Sequence, residues 1–272
     1  MIIRNYSWKR PTTDNDKSKN TTDVKDGDSF TILSCNIRSG NKMRDAIFQR
    51  ARDRNADLTL LQETHLQDDD ISAWEKQWGS DGHLFANNGP RSKAGQMILC
   101  KDHVIIDGGH EICDQGRIHS VSFHRDDMKF LIVNVYGPHI KQHRVRFLDK
   151  LYETLEENSE CDVVILGGDF NIVPHHIWDK QGGSLKVHAS QPLLRLLMQQ
   201  QGLVDIAREQ QPLAKMFTWS QATPPVACRL DYFLVSESCR QLVKEVSILP
   251  MPGTDHKCIE LVLTLKSEDV TS

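Results

Sequence analysis

The run VVILGGDFN, residues 163–171, gathers the residue types for chemistry into a short space. Four apolar residues lead to Gly167 and Gly168, and then to Asp169 and Asn171, two positions apart. Glycines at the end of a buried strand let the backbone pass close to a neighbour. They also project a carboxylate and an amide beyond that strand. Asp and Asn form ordinary turns as well, but VVILGG is too apolar to end merely at a surface turn. Asp255-His256, just before the apolar run 258–265, is a second such pair. A histidine beside a group that gains negative charge can donate a hydrogen bond to it, best when a carboxylate fixes its tautomer. On its own, an Asp-His pair is a common polar turn.

Four more apolar runs are interrupted in the same way. LSCN ends at Asn36, TLLQE at Glu63 and LIVNVY at Tyr136, while RLDYFLV carries Asp231 near its start. Any one of these is what the start of a loop looks like. Six together, rich in Asp, Glu, Asn and His, point to a shared rim, because strand ends in a layered fold converge and loops there carry function. Carboxylates and amides at such a rim suit a hard, oxygen-seeking ion such as Mg²⁺ or Mn²⁺. The remaining histidines, such as His139, His143, His175 and His188, lie in polar stretches and read as surface residues.

The elements that must carry these residues are short apolar strands with few helices between them. Periodicity predicts strands at 30–35, 56–61, 95–99, 104–106, 118–123, 130–136, 163–166, 230–235, 243–249 and 258–265. Helical spacing marks 43–55 (through Met43, Ile47 and Ala51), 147–155, and 192–200, the last begun by a proline in its first turn. So many strands with so few helices do not make a repeating βαβ protein. They suit two sheets packed face to face with helices outside. Residues 1–28 are polar and charged and are expected to form a flexible arm. One domain is expected over 29–266, with a tail at 267–272.

Composition bounds the class. The chain has 272 residues, 39% hydrophobic and 26% charged, ordinary for a globular protein. No stretch approaches the ~18 consecutive apolar residues of a membrane span, and the first residues lack the apolar run of a secretory signal. Seven cysteines, an odd number without a CxxC pair, argue against a disulfide framework and for a reducing compartment, nuclear or cytoplasmic. Thiolate zinc has no support in their spacing. Net charge is −4, which gives no help to nucleic-acid binding. A carboxylate cluster lowers that total, however, while Lys and Arg can still line its rim.

Seven segments taken in order resemble the endonuclease/exonuclease/phosphatase superfamily: SCNIR (34–38), LLQET (60–64), NVYGP (134–138), LGGDFN (166–171), FTW (217–219), RLDYFLVS (229–236) and TDHK (254–257). Within it, LQETHL (61–66), Trp78-Gly79 with Phe85, and GLVDIAREQQP (202–212) are most similar to the endonuclease domain of non-LTR (LINE-type) retrotransposon polyproteins. The short span between Trp219 and Arg229 departs from the longer insert of the apurinic endonucleases.

The resemblance implies an α/β (α+β) fold, a four-layered α-β-β-α sandwich of two mostly antiparallel sheets. It implies a monomeric Mg²⁺- or Mn²⁺-dependent phosphodiesterase that nicks DNA to a 3′-hydroxyl and a 5′-phosphate. Glu63 resembles the main metal carboxylate. Asn36 and Asp255 resemble residues that support or flank the metal. Asp169 resembles the residue that orients or deprotonates the attacking water, with Asn171 beside it. Tyr136 resembles a phosphate contact, His256 the group that stabilises the transition state, and Asp231 the carboxylate that orients it. Thr218 aligns with a substrate-binding Thr. Arg38 stands where some repair enzymes carry an acidic residue, which favours a single metal and a phosphate contact by Arg38. A repair nuclease, the same chemistry on RNA, inositol phosphates or lipids, and an inactive binding module stay open as alternatives.

Overall fold

Strands that are apolar on both faces must be covered on both faces, and this chain does so with four layers. The computed structural model describes residues 29–90, 93–125, 127–184 and 186–265. The expected arm and tail lie outside them. In chain order the first half contains β1 (Ser29–Asn36), α1 (Gly40–Asp53), β2 (Leu58–Gln62), α2 (Asp68–Trp78), β3 (Gly82–Asn87), β4 (Gln96–Lys101), β5 (Ile106–Asp114), β6 (Ile118–Arg125), β7 (Met128–Tyr136) and α3 (Arg144–Glu157). The second half contains β8 (Val163–Asp169), β9 (Lys180–Gln181), α4 (Ser190–Gln200), β10 (Leu203–Asp205), α5 (Ile206–Gln210), β11 (Trp219–Gln221), β12 (Val226–Cys228), β13 (Asp231–Ser236), α6 (Glu237–Arg240), β14 (Val243–Leu249) and β15 (Cys258–Thr264).

One six-stranded sheet has the order β14-β15-β1-β2-β4-β3, with β1 and β2 its parallel pair. The other has the order β10-β13-β8-β7-β6-β5, with β7 and β8 its parallel pair. Phe30, Ile32, Leu60, Ile132, Ile165 and Phe233 fill the space between the sheets. On the outer face of the first sheet, Phe48 of α1 packs with Trp74 and Trp78 of α2, at ring-centroid distances of 5.2 Å to each. On the outer face of the second, Leu151 of α3 and Leu194 of α4 cover Val133 and Leu166. The expected α-β-β-α sandwich is therefore the architecture found.

Some elements went unread. Helix α2 begins with three aspartates, which suit the positive end of a helix dipole, and the Gln67 amide donates to Asp70 Oδ2 at 2.9 Å. Strand β5 was expected only at 104–106. It runs to Asp114 along an edge where polar residues and glycines hide the alternation. The small sheet β11-β12-β9 has strands of two or three residues, too short for periodicity to register. Cys35 and Cys258 join β1 to β15 as a disulfide. Cysteine spacing argued against a framework of bridges, and five of the seven cysteines are indeed free. One bridge nevertheless closes, because the antiparallel register brings together residues 223 apart in sequence.

Candidate active site

Register decides which strand ends meet. In the first sheet Asn36 pairs with Gln62, so Glu63 follows at the same rim. In the second, Tyr136 pairs with Asp169 and Asp169 with Asp231, setting three side chains in a row across β7, β8 and β13. The glycines before Asp169 permit this closeness. A Cβ on Gly168 would lie 2.0 Å from the Val135 carbonyl oxygen, and one on Gly167 would lie 2.4 Å from the Phe233 ring.

Asn36 joins the two rows. Its Nδ2 donates to Glu63 Oε1 at 3.0 Å and to Asp169 Oδ2 at 2.9 Å. Two carboxylates demand the N–H side of the amide, so Asn36 presents a donor to Glu63 rather than a metal-ligating oxygen. Its Oδ1 instead accepts from the Arg38 amide at 3.2 Å. Asn36 thus braces the carboxylates. Glu63 stands in the left-handed region at φ +53° and also accepts from the Tyr136 hydroxyl at 2.9 Å. Burial and then Glu63 push the Tyr136 phenol well above its usual range, so it stays a donor. Arg117 lies over the Tyr136 ring, 4.7 Å from its centroid, and donates to the Tyr136 carbonyl at 3.2 Å.

Asp169 and Asp231 are buried carboxylates on paired positions, and two adjacent buried charges cannot both be comfortable. Burial first, and then Asp231, raise Asp169 to about 7, although His256 and the bonds from the Asn171 amide and Asn36 pull the other way. Asn171 N donates to Asp169 Oδ1 at 2.8 Å. Asn171 Nδ2 divides between Gly137 O at 2.9 Å and Asp169 Oδ2 at 3.2 Å. Asn171 therefore orients Asp169.

His256 Nδ1 sits 2.9 Å from Asp231 Oδ2. Burial alone would depress its pKa, but Asp231, Asp169 and Asp255 outweigh that and raise it to about 10. The imidazole is then a cation near neutral pH. Its Nε2 faces Asp169 Oδ2 across 4.0 Å, too long for a hydrogen bond, so that one oxygen lying to the side of the line between them can reach both.

The outer residues have partners of their own within the fold. Thr218 was expected to touch substrate. It is buried, and its Oγ1 accepts from the amides of Leu230 and Asp231 at 3.0 and 3.1 Å, so it fixes the start of β13. Asp255 was expected near the metal. Its Oδ2 is held by Trp219 Nε1 at 2.9 Å and by Arg38 Nη1 at 3.1 Å. Arg38 is exposed beside this pair. Sequence reasoning missed Arg117, which gives no local signal, and Thr254, whose hydroxyl donates to Asn36 O and accepts from His256 N. It also missed a buried ion cluster. Arg229, fully buried, pairs with Asp179 and Asp205, and Arg208 adds a second bond to Asp179. That cluster ties β12 and the loop after β8 to β10.

A divalent cation fits best at Glu63: Asn36 and Tyr136 hold its Oε1, among the described residues its Oε2 faces only His65 at 3.7 Å, and its side chain is partly exposed at the rim. Asp169, Asp231 and His256 also lie within ligand distance of one another. His256 Nδ1 and both Asp169 oxygens are already hydrogen-bonded, which suits proton transfer better than ligation.

Comparison with known proteins fits this geometry. Residues 33–256 match the Endonuclease/Exonuclease/phosphatase family. A Bacillus subtilis exodeoxyribonuclease is 26% identical over 238 residues, which cover 79% of this chain and 90% of that protein. The uncharacterised 149 kDa protein of transposon TX1 from Xenopus laevis is 26% identical over 215 residues. The match covers 76% of this chain but only 16% of that protein's length. Among solved structures, the AP endonuclease of Leishmania major superposes with a TM-score of 0.76 at 19% identity, covering 89% of this chain and 90% of that one. A Neisseria 3′ phosphatase bound to a product DNA hairpin superposes with a TM-score of 0.70 at 19% identity, covering 85% and 98%. The chain belongs to the endonuclease/exonuclease/phosphatase family, and is a phosphodiester-hydrolysing enzyme of it.

Proposed function

We propose that this protein is a divalent-metal-dependent DNA endonuclease, using Mg²⁺ or Mn²⁺, that nicks duplex DNA in the manner of a retrotransposon target-site nuclease. The observation that carries the chemistry is the gap between Asp169 Oδ2 and the protonated His256 Nε2, with Asp231 behind the histidine. The likeness to the transposon TX1 protein supports the biological setting.

Glu63 would hold the cation, braced by Asn36 and Tyr136. When bound, that cation neutralises charge on the phosphate and the leaving oxygen. Asp169, near 7, is poised to accept the proton of an attacking water. His256 donates from Nε2 to a phosphate oxygen as negative charge grows, while Asp231 holds its Nδ1 proton and its orientation. Asn171 and Asn36 keep Asp169 aimed. Arg38, exposed at the rim, contacts a flanking phosphate. The products are a 3′-hydroxyl and a 5′-phosphate.

The test is purified protein on supercoiled plasmid with Mg²⁺. Nicking should disappear with EDTA and with Asp169→Ala or His256→Ala. Equal nicking by those variants would sink the residue assignment. A second reading, a repair or exonucleolytic enzyme, is favoured by the exodeoxyribonuclease relative. A matched duplex, an abasic duplex and a recessed 3′ end offered side by side separate the two.

A further inference from the structure

Behind the site, a chain of buried side-chain amides crosses from one sheet to the other. Gln62, Asn87, Gln96 and Asn134 are all fully buried. Asn134 lies on β7 of the second sheet, yet its Nδ2 donates to Leu61 O at 3.0 Å and Met97 O at 3.1 Å, on β2 and β4 of the first. Its Oδ1 accepts from Gln62 Nε2 at 2.8 Å, and its backbone carbonyl accepts from Gln96 Nε2 at 2.8 Å. Gln62 Nε2 also reaches Ser34 Oγ on β1 at 3.0 Å. Asn87 Nδ2 continues the chain to Gln96 Oε1 at 3.2 Å, and Asn87 Oδ1 accepts from the Gly116 amide at 2.7 Å.

Apolar side chains would fill this space without the demand that every donor find its acceptor, a demand that makes buried amides costly unless paired and highly directional once paired. What distinguishes these four is what they precede. Gln62 is followed by Glu63. Asn134 stands two residues before Tyr136, on the same face of β7. Asn87 anchors Gly116, next to Arg117, whose guanidinium lies over the Tyr136 ring. Glu63 and Tyr136 are therefore one and two residues from a link in the amide chain, and Arg117 follows the glycine that Asn87 anchors. Among the described residues, no side-chain hydrogen bond of these four amides reaches Asp169, Asp231 or His256.

We propose that Gln62, Asn134, Gln96 and Asn87 form a positioning unit that sets the spacing of Glu63 against Tyr136 across the two sheets, and through it the affinity of the site for its divalent cation. This rests on the metal reading of Glu63 given above. Groups that orient metal-binding side chains change affinity or activity by about 10–100-fold when removed.

The experiment uses Gln62→Met, which keeps shape and removes the amide, beside Leu263→Ala, a fully buried change at the far end of β15. Mn²⁺ binding is read by titration calorimetry without DNA, and nicking is read as a function of Mg²⁺. The expected result is Mn²⁺ binding at least tenfold weaker in Gln62→Met and an equal rise in half-saturating Mg²⁺, with kcat at saturating Mg²⁺ largely retained. Leu263→Ala should lower the melting temperature and leave both metal readouts unchanged. Gln96→Met, one link further away, should act in the same direction and keeps the test open if Gln62→Met does not fold. Unchanged Mn²⁺ affinity in a folded variant overturns the proposal. So does equal weakening in Leu263→Ala, or collapse of both glutamine variants, since the amides would then hold the core rather than the site. Absence of any Mn²⁺ binding in the parent protein would instead refute the metal reading on which the proposal stands.

Discussion

Replacing Asp231 by Asn should move the pH optimum of the enzyme, not merely lower its rate. Asp231 Oδ2 lies 2.9 Å from His256 Nδ1 and is the leading attraction that keeps His256 near 10 against burial. The distance from an ordinary histidine near 6.5 to about 10 corresponds to roughly 5 kcal/mol in favour of the imidazolium, at about 1.4 kcal/mol per tenfold. With Asn at 231 the largest attraction is gone while burial remains, opposed only by Asp169 and Asp255, so His256 should titrate well below the parent's value. At about pH 7.5 nearly every parent molecule carries the cation, and each unit by which the variant's pKa lies below that pH costs it about tenfold in cation. The same substitution removes the Asp231 charge that raises Asp169, so Asp169 should stay ionised at lower pH. Both changes point the same way. Nicking by the variant should drop at least tenfold at neutral pH and recover in part towards about pH 5.5. Plasmid nicking across pH gives the rate, and NMR titration of the His256 ring proton gives the pKa directly. A variant profile that is the parent profile scaled down, with His256 still titrating near 10, refutes the reasoning.

Tyr136→Phe removes the bond to Glu63 Oε1, a hydrogen bond to a charged group worth about 1.5–3 kcal/mol, so kcat/KM should fall roughly 10- to 100-fold with the fold intact by circular dichroism. Asp169 must lose its proton to act as base, and a bound cation lowers its pKa, so the rise of rate with pH should be centred at or below about 7; a rise centred above about 8 contradicts the assignment. Arg229→Met leaves the buried Asp179 and the partly buried Asp205 without their shared partner, at a cost of about 3–5 kcal/mol; thermal unfolding should start roughly 10 °C lower. Thiol titration of the unfolded chain should count five cysteines before reduction and seven after, and a count of seven at the outset would remove the Cys35–Cys258 bridge.

The strand ends were legible because a polar residue closing an apolar run is a local signal. Asn36, Glu63, Tyr136, Asp169 and Asp231 could be picked out that way, and the sandwich followed from the number of runs. What could not be read was the direction of each side chain. That Asn36 shows its N–H side to two carboxylates depends on Glu63, 27 residues away, and on Asp169, 133 away. Thr218 and Asp255 look like rim residues in sequence, but backbone amides claim the first, and Trp219 and Arg38 claim the second. Gln62 and Asn134 sit inside apolar runs, where a single polar residue carries no sign of which sheet it will reach. Arg117 follows a glycine turn, and only the fold lays it over Tyr136.

The place of β15 bears on when this protein can act during its own synthesis. Of the described strands the last in chain order lies inside the first sheet, between β14 and β1, and not at its edge. Strand β1, the first of the described strands, lacks one neighbour until residues 258–264 arrive. His256 enters just ahead of them, and its partner Asp231 must already be paired with Asp169. Long-range pairings of this kind form late, because the chain between them must be closed first. A chain that stops before residue 256 would hold Glu63, Tyr136 and Asp169 without His256 and without the strand that completes the first sheet.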